Sequence, residues 1–439
     1  MSNDSNPVQF ELTPGGHLNG QLRVAGDKSI SHRAIMLSAI AEGESNITGF
    51  LEGEDTLATL AAFRTMGVNI SDPKDGKVTV QGVGMHGLQA PDTALDLGNS
   101  GTSMRLLSGL LAGQDFAVTL TGDKSLSTRP MRRVTDPLAL MGATIDSTET
   151  GTPPLCIQTG SQLNSIAYTL PMASAQVKSC VLLAGLYAKG ETCVTEPAPT
   201  RDHTERMLQG FGYQVQREGS RVCLQGGGRL SGMDIDVPAD ISSATFFMVG
   251  AAIASGSDVS LEHVGINPTR TGVIEILRLM GADISLHNER EVGGEPVADI
   301  QVRASQLRGI QIPEAQVPLA IDEFPAIFIA AACAEGETVL TGAEELRVKE
   351  SDRIAVMADG LTVLGIDCQV TDDGIIIQGG QLQGGTVNSH GDHRIAMSFA
   401  MAALRAKAPI KILDCANVAT SFPDFVTLAK TAGLGIQIS

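Results

Sequence analysis

The chain has 439 residues and a formal net charge of −18, from 31 Lys and Arg against 49 Asp and Glu. This length exceeds what one hydrophobic core usually supports, which predicts two domains, and the negative charge disfavours nucleic acids and anionic membranes as partners. No apolar run is long enough to span a bilayer, and the first twenty residues lack the pattern of a signal peptide. We therefore expect a soluble, cytoplasmic protein.

The composition also narrows the fold class and the redox state. Forty-nine glycines, no Trp and only 3% aromatic residues indicate an aliphatic interior with many tight turns, which is typical of an α/β protein. The cysteines are odd in number and widely spaced, without a C-x-x-C pair, so buried reduced thiols are expected. They are Cys156, Cys180, Cys193, Cys223, Cys333, Cys368 and Cys415.

One pattern recurs six times along the chain. Each copy begins with a turn rich in Gly, Asp, Ser or Asn that opens a helix, continues with a β-branched run and a second helix, and closes on a Gly and another strand. The copies are Ala25–Ile70, Leu97–Ile145, Leu170–Val215, Val237–Ile284, Ala320–Cys368 and Ser389–Ile436. They start about 70 residues apart, much further than the units of a common solenoid, so three copies predict one ordinary domain.

The gaps and ends of the copies carry further signals. The segments Lys77–Gly82 and Gly374–Gly379 read as strands between copies. The glycine that closes each copy is expected to let a helix end and turn into a strand. These glycines are Gly67, Gly142, Gly212, Gly281, Gly365 and Gly435.

The copies differ most in their first turns, each of which lies at a predicted helix start. These turns read GDKSISHR, GNSGTSMR, MASAQVK, PADISS, IDEFP and HGDHR. Helix starts present free N–H groups and partial positive charge, so cations gathered beside them favour small, multiply anionic ligands. Helix capping alone explains Asp96, Asp240 and Ser242, and a structural carboxylate such as Glu54 or Asp55 is the alternative partner for a cation.

Six strings together resemble one known family. GDKSISHR, LGNSGTSMR, SLSTRPM, RVKESDR, GDHR and ATSFPDF are similar, in order and spacing, to the 3-phosphoshikimate 1-carboxyvinyltransferases, which are enolpyruvyl transferases. The resemblance implies an α/β fold, a two-domain inside-out α/β barrel with six copies of a βαβαββ unit, three per domain. Residues 26–238 would form an inserted domain, residues 1–25 and 239–439 the second domain, and the active site would lie in the cleft between them.

The resemblance also implies a reaction. The enolpyruvyl group of phosphoenolpyruvate would pass to the 5-hydroxyl of shikimate 3-phosphate by addition and elimination, releasing phosphate, as a step of aromatic amino acid biosynthesis through the shikimate pathway. The implied partners are these two anions and the inhibitor glyphosate, with no nucleic acid and no membrane, and the implied state is a monomer. No metal or organic cofactor is expected, because His390 and His393 have no matching ligand set around them.

Site residues follow from the matching positions. The resemblance implies that shikimate 3-phosphate binds to Lys28, Ser29, Arg33, Ser174, Gln176, Arg201, Asp322 and Lys349. It implies that phosphoenolpyruvate binds to Lys28, Gly101, Arg129, Gln176, Arg353 and Arg394. Asp322, Glu350 and Lys28 are the implied catalytic residues.

The local sequence around the catalytic candidates can be interpreted separately. RVKESDR is expected to place Lys349, Glu350 and Arg353 within one helical turn, which surrounds Glu350 with cations that favour its ionised form. Asp322 follows an apolar run and precedes Phe324, which predicts a partly buried carboxylate, with a role as N-cap as the alternative.

The sequence departs from the family pattern at two positions, and two other functions are alternatives to the one implied by the resemblance. Ala416 stands where many family members have Lys, and Leu106 stands where they have Pro. The rival in the same class is the enolpyruvyl transferase acting on UDP-N-acetylglucosamine, whose mobile loop usually supplies a Cys that residues 121–133 lack. The rival in another class is a non-catalytic six-unit ring or clamp, which predicts basic residues spread along helices and not gathered in turns.

Overall fold

A computed structural model describes residues 8–160 and 162–439, so the expectations for residues 1–7, at the start of the predicted 1–25 segment, lie outside the described residues. Its helices are α1 Lys28–Ala39, α2 Glu54–Thr65, α3 Gly101–Leu111, α4 Arg132–Leu140, α5 Ala175–Gly185, α6 His203–Gly210, α7 Ile241–Ile253, α8 Gly272–Leu279, α9 Phe324–Ala332, α10 Arg353–Val363, α11 His393–Ala402 and α12 Phe425–Ala432. In this part of the chain, no helix is long and apolar enough to cross a membrane.

Short strands alternate with these helices. They are β1 Phe10–Leu12, β2 Asn19–Leu22, β3 Glu42–Thr48, β4 Asn69–Ile70, β5 Val78–Val83, β6 Leu95–Asp96, β7 Val118–Thr121, β8 Ile145–Asp146, β9 Leu155–Ile157, β10 Ala167–Thr169, β11 Glu191–Thr195, β12 Val215–Glu218, β13 Arg221–Gln225, β14 Ile235–Asp236, β15 Asp258–Gly265, β16 Asp283–Val292, β17 Glu295–Arg303, β18 Glu337–Leu340, β19 Asp367–Val370, β20 Ile375–Gln378, β21 Gly385–Asn388, β22 Ile410–Leu413 and β23 Ile436–Ile438. The two strands predicted between copies correspond to β5 and β20.

The chain divides into two compact units. Unit 1 comprises the described residues up to Ala25 together with Pro238–Arg290 and Pro296–Ser439, and unit 2 comprises Gly26–Val237 with Glu291–Glu295. Two details differ from the expected division at 26–238. Pro238 belongs to unit 1, and the turn between β16 and β17 belongs to unit 2, because Glu295 at that turn is buried and contacts His203 of unit 2.

The predicted repeat is present in both units, because every predicted copy contains two of the twelve helices. The first helix of a copy is the more buried one: all residues of α7 and α9 are buried, although neither has a strongly one-sided apolar pattern. A helix that is apolar all round belongs in the interior. The inside-out arrangement implied by the resemblance is confirmed, since helices form the interior of each unit and small sheets flank them.

Each copy has its own sheet, and the strand order explains how the units close. Unit 2 has sheets of order β14-β3-β5-β4, β6-β7-β9-β8 and β10-β11-β13-β12. Unit 1 has sheets of order β16-β17-β15-β2, β18-β20-β19 and β21-β22-β1-β23. The amino-terminal strands β1 and β2 therefore complete two sheets of unit 1.

Five of the six predicted closing glycines have left-handed backbone, with φ between 82° and 98°. In the sixth copy the prediction of Gly435 is wrong. The left-handed residue there is Gly433, with φ of 116°, and it directly follows α12. The reason is that α12 ends at Ala432, so the left-handed turn comes two residues earlier than the pattern indicated.

The expectation of seven reduced thiols is also wrong at one place. Cys193 on β11 and Cys223 on β13 lie directly opposite each other in an antiparallel pair and are joined by a disulfide. The spacing of cysteines along the chain does not reveal this pairing, because it depends on strand register. The free cysteines are Cys156, Cys180, Cys333, Cys368 and Cys415.

Candidate active site

In unit 2, helix α1 carries three of the candidate residues, Lys28, Ser29 and Arg33. Asp27 caps α1 by accepting a hydrogen bond from the backbone N–H of Ile30 at 2.9 Å. Lys28 forms an ion pair with Asp55 in the first turn of α2, with 2.5 Å between Nζ and Oδ2. Lys28 therefore has a structural carboxylate as its partner, which is the alternative to ligand binding that the sequence left open. Its side chain is still 23% exposed and so remains accessible to a ligand.

Arg33 lies deeper in the same unit and is almost fully buried. Its Nε donates to Thr204 Oγ1 at 2.7 Å, one Nη to Ser179 Oγ at 2.8 Å, and the other Nη to the Ser29 carbonyl at 2.9 Å. Burial lowers the pKa of Arg33 to about 10, although Glu205 and Asp27 act in the opposite direction. Arg33 remains charged at neutral pH, and its hydrogen bonds connect α1 to α5 and α6.

The start of α3 presents Gly101 between two arginines. Ser100 caps the helix, and a Cβ on Gly101 would lie 3.0 Å from an Nη of both Arg105 and Arg129. Arg129 follows a short 3-10 helix and donates to Asn99 Oδ1 at 2.8 Å. Two guanidinium groups at a helix start, with no side chain between them, form an environment suited to a doubly charged anion.

Gln176 connects the second and third turns of unit 2. Its amide nitrogen donates to Thr102 Oγ1 on α3 at 3.0 Å, and its amide oxygen is buried without a hydrogen-bond partner among the described residues. Ser174 caps α5 two residues earlier, with its hydroxyl accepting from the Val177 N–H at 3.4 Å. Arg201 precedes α6 and is partly exposed. The structure thus brings Gln176 to the Gly101 turn.

A buried hydroxyl network fixes the helix starts. His32 Nδ1 lies 2.8 Å from Thr59 Oγ1, which lies 2.6 Å from Ser103 Oγ, which in turn lies 2.8 Å from Ser100 Oγ. These side chains belong to the first turns of α1 and α3 and to the middle of α2. Burial, with smaller contributions from Lys28 and Arg33, holds the pKa of His32 well below its usual value, so the imidazole is neutral.

In unit 1, the candidate residues gather around Arg353. This side chain is 1% exposed, and its Nε donates to Asp392 Oδ2 at 2.8 Å, one Nη to Glu350 at 2.6 Å and the other Nη to Asp322 at 3.4 Å. Burial alone would lower the pKa of Arg353, but these carboxylates outweigh burial and raise it. Three acidic groups therefore share one permanently charged arginine.

Lys349 and Arg394 complete this cluster. Lys349 Nζ lies 3.5 Å from Asp322 Oδ1 and 2.7 Å from Glu345 Oε1. Arg394 donates to the Asp322 carbonyl at 3.1 Å and lies 3.7 Å from Glu323. Asp322 thus contacts three cations, two with its carboxylate and one with its carbonyl.

Two local expectations for this cluster are wrong. Lys349, Glu350 and Arg353 do not share a helical turn, because Asp352 caps α10 and the helix begins only at Arg353. Asp322 is not the N-cap of α9, since Glu323 occupies that position and makes no side-chain capping bond. The prediction of a partly buried Asp322 is confirmed, with 12% of the side chain exposed.

Two further carboxylates contact candidate residues; the sequence offered Asp55 as a possible partner for a cation but did not single out Asp392. Asp392 is fully buried, caps α11 through the Arg394 N–H at 2.9 Å and accepts from Arg353. Asp55 pairs with Lys28. Asp392 lies inside the string GDHR, where its capping position was a usable signal, but its bond to Arg353 spans 39 residues and is not visible in sequence.

Potential metal ligands come close together at one place in the part of the chain described. The one group of three close potential ligand atoms there consists of Glu191, Cys193 and Cys223, and the two sulfurs are joined in the disulfide. His390 and His393 belong to no such group within residues 8–160 and 162–439.

Comparison with known proteins agrees with this geometry. The solved structure of the enolpyruvyl transferase NikO from Streptomyces tendae covers 99% of this chain and of its own length, with a TM-score of 0.80 at 18% identity. That likeness shows the fold. Six α/β copies in two units place the chain in the class of two-domain inside-out α/β folds.

The family is narrower than this class. The family model described as EPSP synthase (3-phosphoshikimate 1-carboxyvinyltransferase) matches residues 12–428. A curated relative named 3-phosphoshikimate 1-carboxyvinyltransferase, from Methylococcus capsulatus, is 70% identical over 98% of this chain and 99% of its own length. A solved EPSP synthase structure from Acinetobacter baumannii has a TM-score of 0.90 at 64% identity, covering 98% of this chain and 100% of that one. The chain belongs to the EPSP synthase family.

Proposed function

We propose that this chain transfers the enolpyruvyl group of phosphoenolpyruvate to the 5-hydroxyl of shikimate 3-phosphate and releases phosphate. The supporting observation is that two carboxylates, Asp322 and Glu350, contact one buried arginine in a chain of this family. Carboxylates that lie within hydrogen-bond reach of a bound substrate can accept its protons and return them. This activity belongs to the shikimate pathway of aromatic amino acid biosynthesis.

The proposal assigns each substrate a set of binding residues. Ser174 and Arg201 are suited to the phosphate of shikimate 3-phosphate, because a hydroxyl and a guanidinium both donate to phosphate oxygens. The other assigned contacts to this substrate are Lys28, Ser29, Arg33, Gln176, Asp322 and Lys349. Phosphoenolpyruvate is assigned to Lys28, Gly101, Arg129, Gln176, Arg353 and Arg394.

The reaction balances as an addition followed by an elimination. The 5-hydroxyl loses its proton to a base while its oxygen bonds to C2 of phosphoenolpyruvate, and the methylene carbon gains a proton to become a methyl group. The C2–O bond to phosphate then breaks, phosphate leaves, and the methyl group loses a proton to restore the double bond. Asp322, Glu350 and Lys28 are the groups to which we assign these proton transfers.

Several finer statements belong to the same proposal. Glyphosate carries a carboxylate and a phosphonate, so it fits the arginines around Gly101 and is expected to compete with phosphoenolpyruvate. We also propose a monomer in the cytoplasm. A net charge of −18 argues against a nucleic acid partner, because the phosphate backbone would be repelled over most of the surface.

The test is a phosphate-release assay on the purified protein. Release is expected only when phosphoenolpyruvate and shikimate 3-phosphate are both present. Replacing shikimate 3-phosphate by UDP-N-acetylglucosamine should abolish it. Equal release with UDP-N-acetylglucosamine, or none with both proposed substrates, would overturn the proposal.

A further inference from the structure

Unit 2 contains a fully buried lysine that the proposed reaction does not use. Lys178 lies on α5, is 0% exposed, and places its Nζ 2.9 Å from Glu196 Oε1 and 2.7 Å from Glu205 Oε1. The contact between Lys178 Nζ and the Glu205 carboxylate is an ion pair and not a hydrogen bond, because its angles do not suit one. The same Nζ donates to the Thr200 carbonyl at 3.5 Å.

The position of Lys178 between two candidate substrate residues is informative. Its backbone N–H bonds to the carbonyl of Ser174, so the two residues occupy successive turns of α5. Glu205 lies in the first turn of α6, directly after Arg201 and Asp202. One buried cation therefore joins the first turns of α5 and α6, the two helices that directly follow Ser174 and the loop of Arg201.

The loop that carries Arg201 is fixed by the same contacts. This loop, Glu196–Arg201, follows β11 and contains two prolines, which restrict its backbone. The Thr200 hydroxyl donates to Glu196 at the other end of the loop, and Lys178 binds both residues. The ends of the loop are thus held together on the side of α5.

A second pair of side chains also connects α5 to α6. Ser179 follows Lys178 on α5, Thr204 precedes Glu205 on α6, and their hydroxyls lie 2.7 Å apart. Both hydroxyls accept from Arg33, which is assigned to shikimate 3-phosphate. The two helices are therefore joined by adjacent polar contacts one turn away from Ser174 and Arg201.

We infer that Lys178 is a positioning residue for shikimate 3-phosphate, which sets the separation of Ser174 and Arg201 so that both can bind its phosphate at once. This inference rests on the proposed function. A buried ion cluster does not by itself stabilise a fold, because desolvation offsets the attraction between its charges, whereas it can fix one geometry. A substrate phosphate that needs donors from two helices requires such a fixed geometry.

The test compares two variants that disturb the same glutamates. Lys178→Met removes the central cation at similar volume. Arg217→Met is the matched control, because Arg217 contacts the same Glu196 and Glu205 at 3.1 and 3.5 Å from the more exposed side. For Lys178→Met we expect the KM for shikimate 3-phosphate to rise about tenfold or more, with kcat and the KM for phosphoenolpyruvate within about threefold. Arg217→Met should leave all three constants within about threefold.

A second readout separates positioning from general loosening of unit 2. Binding of shikimate 3-phosphate and of shikimate, which lacks the phosphate, is measured by calorimetry for each variant. The preference for the phosphorylated ligand is the ratio of the Kd for shikimate to the Kd for shikimate 3-phosphate. If Lys178 positions the phosphate contacts, Lys178→Met should lower this ratio about tenfold. All three tyrosines, Tyr168, Tyr187 and Tyr213, lie in unit 2 and the chain has no Trp, so tyrosine fluorescence reports the stability of this unit alone.

The outcomes are distinct. An unchanged preference in folded Lys178→Met, or an equal loss in Arg217→Met, would overturn the inference. If Lys178→Met does not fold, Thr200→Val replaces it as the test, because this variant removes only the hydroxyl bond to Glu196 and leaves Lys178 in place. A rise of about threefold in its KM for shikimate 3-phosphate would support the inference. An unchanged KM would contradict it. Wild-type protein that binds shikimate 3-phosphate but releases no phosphate would refute the proposed function and leave the calorimetric test of Lys178 intact.

Discussion

The candidate residues of the two units differ in how carboxylates are placed among the cations. In unit 2 the carboxylates that contact candidate residues, such as Asp55, are buried, and the groups left to meet a ligand are hydroxyls, an amide and cations. In unit 1, Asp322 and Glu350 are partly exposed beside Arg353 and Lys349. Donors bind anions, whereas accessible carboxylates also exchange protons. We therefore expect unit 2 to contribute mainly to substrate binding, with Lys28 as its one residue assigned to proton transfer, and unit 1 to contribute the carboxylates that exchange protons.

Glu350→Gln gives the largest expected effect and tests the assignment of chemistry to unit 1. The amide keeps the size and hydrogen bonding of the side chain but cannot carry a proton, so kcat should fall by about two to four orders of magnitude. Calorimetry should show shikimate 3-phosphate binding little changed. Glu344→Gln is the matched control, because Glu344 lies exposed six residues earlier, and its kcat should match that of the wild type. Near-normal turnover of Glu350→Gln would remove this residue from the mechanism.

A second prediction contrasts how the helices of the two units pack. A Cβ on Gly109 of α3 would lie 2.1 Å from the backbone carbonyl of Cys180 on α5, whereas a Cβ on Gly250 of α7 would meet only side-chain atoms, the nearest at 2.8 Å. Gly109→Ala should therefore lower the free energy of unfolding by about 2–3 kcal/mol, and Gly250→Ala by less than about 1 kcal/mol.

Urea unfolding followed by tyrosine fluorescence and by circular dichroism checks this pair of variants. Tyrosine fluorescence reports unit 2 alone, so the transition it follows should move for Gly109→Ala and not for Gly250→Ala. Equal shifts in the two variants would show that backbone contact at Gly109 is not what limits the packing of α3 on α5.

A third prediction tests unit 2 as the binding side. Arg129→Met removes one of the two guanidinium groups beside Gly101, so the KM for phosphoenolpyruvate should rise about ten- to a hundredfold with a smaller change in kcat. Arg132→Met is the control, because Arg132 is exposed and donates to the Glu149 carbonyl. If kcat of Arg129→Met falls as far as that of Glu350→Gln, the division between binding and chemistry is wrong.

The smallest effect is expected at Gly101. A methyl group there would lie 3.0 Å from Arg105 and from Arg129, so both flexible side chains must move by a few tenths of an ångström. Gly101→Ala should weaken inhibition by glyphosate about tenfold and raise the KM for phosphoenolpyruvate less than about threefold, since one methyl group in a tight site discriminates by such factors. Titration of activity with glyphosate at several phosphoenolpyruvate concentrations measures both, and a wild type that resists millimolar inhibitor would contradict the argument.

Much of the fold was predictable because its signals are local. Helix starts, glycine turns and strand segments repeat with the copies, and the structure has two helices in each predicted copy. The errors also lie at local boundaries. Gly433 replaces Gly435 as the left-handed residue, and Asp352 caps α10 so that Glu350 precedes the helix. A shift of one or two residues at a helix end is enough to change which side chain caps it.

The candidate site was less predictable, because its decisive contacts join residues far apart in the chain. Arg353 meets Asp392 across 39 residues, Arg33 meets Thr204 across 171, and Cys193 meets Cys223 through strand register. The motifs drew attention to the cations as a set, and their roles in substrate binding stay predictions. Asp392, which balances Arg353, belongs to the next copy and meets it only when the two copies fold together.

The reaction in D2O tests the central claim of enolpyruvyl transfer most directly. The adduct has a methyl group that gains one solvent hydrogen and later loses one, so deuterium should enter the vinyl methylene of the product. Proton magnetic resonance of the purified product is expected to show partial loss of the vinyl signals in step with phosphate release. A product formed in D2O with both vinyl protons fully retained would contradict addition followed by elimination.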